Sequence, residues 1–417
     1  MSDAGYSLLE TLTLDFHMNA FKKNRIKTGF QKPETGSQPP ATGNQHQASS
    51  IKYPVSSIQN PESNILYPTA RNRPFIIPIF LPHAGCPHRC VFCNQVSITG
   101  AGQGAAEANQ IRSRIHEFLN YKTQRRKPVQ ISFFGGNFLG LKIDEIQYLL
   151  ALAAEFVHKG DVDSIRFSTR PDTVDREHLD VIADYPVATV ELGVQSMIDH
   201  VLALARRGHT AADTLQAVQQ LRTRHYSIGL QMMVGLPGDD ESLSLKTARK
   251  ISDLRPDFVR IYPTVVVKNS RLARWYSDGT YTPLSLEAAV TQVKKLYLHF
   301  RNHNIQIIRM GLQASAELAD GSTVLAGPYH PSFGHMVYSE IFWDAACMAV
   351  KTANPAGPNI SIFVNPRRIS TMRGLNNSNV ERLRRRFGLD HIDIIPDIYI
   401  DEDSLKLDKG SPISCFT

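Results

Sequence analysis

From residue 75 to residue 302 the chain repeats one unit, a short apolar run followed by an amphipathic stretch, and this alternation restricts the fold more than any other feature. Residues 75–81, 129–134, 164–170, 187–194, 227–234 and 258–266 are short and rich in β-branched and aromatic side chains, so they read as strands. Residues 143–158, 175–185, 211–224, 241–254 and 286–302 carry apolar stripes at helical spacing. Strands alternating with helices imply a parallel sheet with helices outside it. Six units are too few for a closed eight-fold barrel. The expected class is therefore α/β, an open (β/α)6 three-quarter barrel spanning residues 71–305, with a small C-terminal α/β domain at 306–417. Residues 1–70 look different. The stretch 32–50 is rich in Pro, Gly, Ser, Gln and Asn and reads as disordered. Residues 9–21 could form a short helix, and Lys22, Lys23, Arg25, Lys27 and Lys32 form a basic arm.

The 417 residues are 42% hydrophobic and 20% charged, which suits a soluble globular protein with polar tails. No apolar run approaches the ~20 residues that span a bilayer, and no signal-peptide pattern opens the chain. A cytoplasmic location, away from any membrane, is expected. The formal net charge of +7 is compatible with a polyanionic partner.

Cysteine placement carries the chemistry. Cys86, Cys90 and Cys93 stand in a C-x3-C-x2-C spacing, in the loop that leaves the first strand. In α/β enzymes the loops at the strands' C-terminal ends hold the active site. Three thiolates so close in sequence can occupy three corners of one metal centre. Soft sulfur favours zinc, copper(I) or an iron–sulfur cluster. A structural zinc site takes a fourth Cys or His at matching spacing, and neither His83 nor His88 supplies it. Cys347 and Cys415 are remote. Three ligands without a fourth suggest a 4Fe–4S cluster with one iron open; zinc and a disulfide remain the alternatives. Cys347 falls in an apolar segment and reads as core. Cys415 lies in the polar tail 401–417, which reads as frayed.

The cysteine spacing, with Phe92 just before the last thiol, resembles the radical S-adenosylmethionine (SAM) superfamily. That resemblance implies a three-quarter barrel, a cluster whose open iron chelates SAM, and a 5′-deoxyadenosyl radical released by one-electron cleavage of the sulfonium. It also implies roles for residues downstream. Gly135-Gly136-Asn137 falls where the superfamily holds SAM's amino group. Ser168 aligns with a SAM-binding glutamate, Gln195 with a glutamine that contacts SAM, and Arg207 with an arginine that pairs with SAM's carboxylate. Gln231 replaces an aspartate that binds the ribose.

Thr169-Arg170-Pro171-Asp172, the segment 190–196, Arg207-Gly208-His209-Thr210, the segment 232–238 and Arg260-Ile261-Tyr262-Pro263-Thr264 resemble the radical SAM half of the catalytic subunit of Elongator. Weaker similarity reaches oxygen-independent coproporphyrinogen oxidase. The Elongator subunit continues into an acetyltransferase domain; here Gly311-Leu312-Gln313-Ala314 and the segment 326–334 follow instead, and no acetyl-CoA phosphate loop is visible. The resemblance implies an RNA base, in tRNA, as substrate, and an electron donor such as flavodoxin or ferredoxin. A small-molecule substrate such as a tetrapyrrole is the enzymatic alternative. A non-catalytic RNA-binding protein with a structural metal is the alternative of another class. Tyr262 at the last strand's end could face the substrate. Arg382, Arg384, Arg385 and Arg386, opposed nearby only by Glu381, could neutralise phosphates.

Overall fold

Pro78 lies within the first strand. Its missing N–H is tolerated only at a sheet edge, and the computed structural model places that strand at an edge. The structure describes residues 74–95, 107–121, 127–313, 318, 323–408 and 410–416. The expected N-terminal helix, basic arm and disordered stretch lie outside them.

In chain order the barrel comprises β1 (Phe75–Leu81), α1 (Ala108–Asn120), β2 (Val129–Gly135), α2 (Ile143–His158), β3 (Ser164–Thr169) and α3 (Arg176–Ala183). It continues through β4 (Val187–Gln195), α4 (Asp199–Leu204), α5 (Ala211–Thr223), β5 (Ser227–Val234), α6 (Glu241–Asp253) and β6 (Phe258–Pro263). After β6 come β7 (Val266–Val267), α7 (Arg271–Ser277), α8 (Leu286–Asn302) and β8 (Gln306–Met310). The main sheet runs β1-β2-β3-β4-β5-β6-β8, and its neighbours pair in parallel. The expected partial barrel is present, with a seventh strand beyond the six units. β8 pairs only with β6. Its Gln306 and Arg309 interrupt the apolar run, so the sequence pattern was weak there. The expected strand 258–266 stops at Pro263, and β7 joins β9 (Val324–Ala326) in a separate antiparallel ladder.

Helix starts follow local chemistry. Asp175, Thr210, Asp240, Ser270 and Ser285 each accept a hydrogen bond from the backbone N–H three residues on, which satisfies donors the helix leaves open. On the sheet's outer face Ile77, Phe133, Phe167, Leu192, Met232 and Ile261 are buried in the core under the helices.

The inner face is different. Ser132 stands beside Arg166, Ser168 beside Glu191, and Gln231 beside Arg260 in the strand register. The Arg166 guanidinium lies 4.6 Å from the Phe258 ring, and Arg260 lies 5.3 Å from the ring of Phe134. Two strands lie between β3 and β6 in the sheet, and three between β2 and β6. These contacts therefore cross the hollow, and the sheet is curled around a polar lumen.

Beyond the barrel, α9 (Phe333–Ala353) packs on α8. After it come β10 (Asn359–Val364), α10 (Ile369–Arg373), α11 (Ser378–Phe387), β11 (His391–Pro396), β12 (Ser404–Leu407) and β13 (Ile413–Ser414). The four strands form one mixed sheet, β11-β10-β12-β13. Two expectations change here. The tail is anchored rather than frayed: Phe416 is buried, its ring 5.8 Å from Tyr297 on α8 and 6.3 Å from Phe342 on α9. Arg301 stacks on it at 4.1 Å. Of the four C-terminal arginines, moreover, Arg382 and Arg384 are in ion pairs. Arg382 pairs with Glu340 of α9 and lies 4.0 Å from the Trp343 ring. Arg384 pairs with Glu381 at 3.3 Å, Arg367 with Glu402 at 2.6 Å, and Arg368 with Asp403 at 3.6 Å. Most of these carboxylates come from other elements, which is why local sequence did not show them.

Candidate active site

The C-terminal ends of the strands form the barrel mouth, and the cysteine loop lies across it. Two structures clamp the loop. On one side, Val91 N–H donates to the Ala205 carbonyl at 3.1 Å, and the Val91 carbonyl accepts from Leu272 N–H at 2.8 Å. Val91 is fully buried in a small cluster with Ile198, Val201, Leu236 and Leu272. On the other side, Gly136 N–H donates to the Leu81 carbonyl at 2.8 Å and Asn137 N–H to the Ala84 carbonyl at 2.7 Å. This contact leaves no room for side chains. A Cβ on Gly136 would collide with the Ala84 carbonyl oxygen, and one on Gly85 with the Asn137 carbonyl oxygen.

Asn137 is completely buried and acts as the knot of this contact. Its Oδ1 accepts from Thr169 Oγ1 at 2.7 Å, Arg170 N–H at 2.9 Å and Thr173 Oγ1 at 2.9 Å. Its Nδ2 donates to the Gly85 carbonyl at 2.9 Å. One side chain thus ties the end of β3, the loop after β2 and the cysteine loop together. It is engaged with protein rather than turned to a ligand.

The clamped loop presents three thiols. Cys90 is buried, Cys86 and Cys93 half-buried, and no cysteine of the chain is in a disulfide. Among the described residues no three His, Cys, Asp or Glu side chains converge on a single-ion site. Burial first, and then the neighbouring thiols, push Cys93 up to about 12; burial raises Cys86 as well.

Around the thiols stand polar groups with nothing to bind. Ser168 Oγ, Arg170 Nη1, Gln195 Oε1, Arg207 Nε and His209 Nδ1 are buried and lack hydrogen-bond partners among the described residues. Buried polar atoms are nearly always paired, so five orphans at one mouth mark a place for a polar ligand. Arg207 bridges the parts of the site: Nη1 donates to Cys90 Sγ at 3.2 Å and Nη2 to the Gly193 carbonyl at 2.5 Å. His209 Nε2 is 3.2 Å from the Val194 carbonyl. A carbonyl only accepts, so Nε2 carries the proton and the orphaned Nδ1 is an acceptor. Burial, then Arg207 and Arg170, bring His209 down to about 3.

The structure thus brings Cys86, Cys90, Cys93, Gly135, Gly136, Ser168, Gln195 and Arg207 to one mouth. Gln231 lies deeper, its Nε2 donating to Glu191 Oε2 at 3.1 Å. Tyr262 OH sits 3.3 Å from Arg260 Nη1. Sequence reasoning missed Arg166, and it gave no site role to Glu191, Arg260, Arg170 and His209, although their segments carry the Elongator resemblance. One signal was available: strands of a covered parallel sheet are apolar on both faces, and a charged residue within each of β3, β4 and β6 breaks that rule.

Mouth, thiol loop and curled parallel sheet define a class. Residues 80–251 match the model of the Radical SAM superfamily, and residues 256–342 match the Radical_SAM C-terminal domain. The chain belongs to the radical SAM superfamily and is an enzyme of it. Within that superfamily it is similar to an uncharacterized protein of Methanocaldococcus jannaschii, 28% identical over 226 residues, covering 51% of this chain and 68% of the relative. It is also similar to the tRNA uridine(34) acetyltransferase of the same organism, 23% identical over 270 residues, 54% of this chain and 50% of that one. The chain therefore spans about half the length of that acetyltransferase. The fold matches the structure of the archaeal Methanocaldococcus infernus Elp3 lacking its N-terminus, with a TM-score of 0.52 at 18% identity, over 65% of this chain and 63% of that one. No helix among the described residues is long and apolar enough to cross a membrane.

Proposed function

We propose that Cys86, Cys90 and Cys93 hold a 4Fe–4S cluster with one open iron, and that the enzyme cleaves SAM reductively to modify a base in RNA. One observation carries the reading of the cofactors: three free thiols on a clamped loop face five unpartnered buried polar atoms. Held by Cys86, Cys90 and Cys93, the cluster would supply the electron for one-electron cleavage of SAM into methionine and a 5′-deoxyadenosyl radical. The chain's own residues hold and orient. The backbone of Gly135 and Gly136 fixes the loop's height over the mouth. Arg207 presents a guanidinium able to grip a carboxylate, and its unbound Nε is a ready donor. Ser168 and Gln195 offer uncharged hydrogen bonds. His209 stays neutral at working pH and offers an acceptor. The lumen beneath excludes water from a radical.

The RNA substrate, with tRNA foremost, is supported by the similarity to a tRNA uridine(34) acetyltransferase and by the net charge of +7. It rests on analogy with relatives.

The test is anaerobic reconstitution with iron and sulfide, reduction with dithionite, and addition of SAM. The expected product is 5′-deoxyadenosine, absent in Cys90→Ala. Faster formation with total tRNA, and salt-dependent tRNA binding, are expected for an RNA substrate; their absence refutes the substrate. A preparation that takes up zinc and no cluster refutes the chemistry.

A further inference from the structure

Below the mouth, the lumen holds a buried group of three charged side chains. Arg166 Nε lies 2.5 Å from Glu191 Oε1, and Arg260 Nε lies 3.0 Å from Glu191 Oε2. Glu191 is completely buried and Arg166 is 3% exposed. Two guanidiniums share one carboxylate, so this trio carries one excess positive charge. A guanidinium does not lose its proton in a protein, so the excess persists. Glu191 stays ionised too: burial raises its pKa, but Arg260 and Arg166 together hold it below the ordinary value.

The trio is also unsaturated. Arg166 Nη2 has no hydrogen-bond partner among the described residues, and neither does the hydroxyl of Ser132 on the same face. Ser132 is Arg166's neighbour in the strand register. A structural plug would be neutral and fully bonded, because a buried unpaired charge costs several kcal/mol. Opposite stands an apolar wall. Phe134 lies under Arg260, and Phe80, 39% exposed, is 6.2 Å from Phe134.

We propose that the lumen floor is an anion subsite, in which Arg166, Arg260 and the hydroxyl of Ser132 take a phosphate or carboxylate group of the substrate while Phe80 and Phe134 cover its apolar part. It rests on the lumen being the substrate chamber of the proposed enzyme. It needs neither cluster nor SAM, so its test is separate.

The full chain would be titrated with inorganic phosphate and with acetate at constant ionic strength, by calorimetry. Saturable binding of one of them is expected. Phosphate binding more tightly assigns a phosphate group, and acetate binding more tightly a carboxylate. Arg260→Gln should weaken binding at least tenfold. Glu191→Gln, which removes the competing carboxylate at nearly constant shape, should tighten it several-fold. Arg367→Gln, a surface partner of Glu402, should change nothing. If Arg260→Gln fails to fold, Arg260→Lys carries the test, because it keeps the charge and loses the planar fork; binding should weaken less than tenfold but measurably. No saturable binding to the wild type, or binding indifferent to both Glu191→Gln and the Arg260 variants, overturns the proposal. Failure here leaves 5′-deoxyadenosine formation unaffected, and failure of that reaction leaves this titration unaffected.

Discussion

Gly136 and Asn137 are neighbours with opposite jobs, one an absence of side chain and the other a side chain wholly engaged. Gly136→Ala would drive a methyl into the Ala84 carbonyl. Backbone has to move to relieve that, at about 1–3 kcal/mol. The expected outcome is a lower denaturant midpoint, and a lower iron content after reconstitution because the thiol loop is displaced. Asn137→Ala removes the acceptor shared by Thr169, Arg170 and Thr173. Stranding buried donors costs about 1–3 kcal/mol for each that finds no water, so a loss of about 3 kcal/mol is expected in urea unfolding. An unchanged midpoint would mean that the knot is dispensable. The Gly-Gly pair was visible in the sequence, but its reason was not. The glycines admit the cysteine loop's backbone, which comes from another strand.

At the scale of elements, the final residues matter more than their composition suggests. Phe416 fills the join between α8 and α9. Phe416→Ala should cost about 3 kcal/mol, in the range for a buried aromatic. The check is equilibrium unfolding, and a loss under 1 kcal/mol would return the tail to a frayed state. The C-terminal arginines give a second prediction. With Arg382 and Arg384 paired, α11 has two arginines, Arg385 and Arg386, left for phosphates. Replacing Arg385 and Arg386 by Gln should lower the log–log salt slope of tRNA binding by less than 1. Replacing Lys22, Lys23, Arg25, Lys27 and Lys32 should lower it by several, since each phosphate contact contributes roughly 1. Equal effects would restore α11 as an RNA surface.

For the whole molecule, two buried groups set opposing pH dependences. His209 falls from its ordinary 6.5 to about 3. Between those values the unfolded chain binds a proton that the folded chain refuses. The stability from neutral His209 is therefore complete above pH 6.5 and lost as pH falls toward 3. Asp239 moves the other way. Burial raises it from 3.8 to about 6, despite hydrogen bonds from Ser244 Oγ at 2.7 Å and Gly235 N–H at 3.1 Å. Its contribution is complete below pH 3.8 and lost as pH rises through 6. On acidification from pH 6.5 to 4, neutral His209 therefore contributes a loss of stability and Asp239 a gain. His209→Gln should remove that loss, and urea midpoints at pH 7 and 4.5 in both proteins would decide it. An identical slope in the variant would show that His209 is solvated.

Residues 75–302 announced the parallel sheet because hydrophobic period is local: each strand and helix needs only its own side chains to declare which face is buried. The C-x3-C-x2-C spacing was legible for the same reason, since one loop supplies all three thiols. β8 was missed because an edge strand with polar residues has no clean period. The polar lumen was missed because Arg166, Glu191 and Arg260 sit on three strands, and only curling the sheet makes them one group. Arg207 shows the division within a single residue. Its place in a motif was readable, but its bridge from Cys90 to Gly193 spans 117 residues in one direction and 14 in the other. Local patterns state which faces are buried. The sum of charges, the unpartnered atoms and the clamp on the thiol loop exist only once distant segments meet.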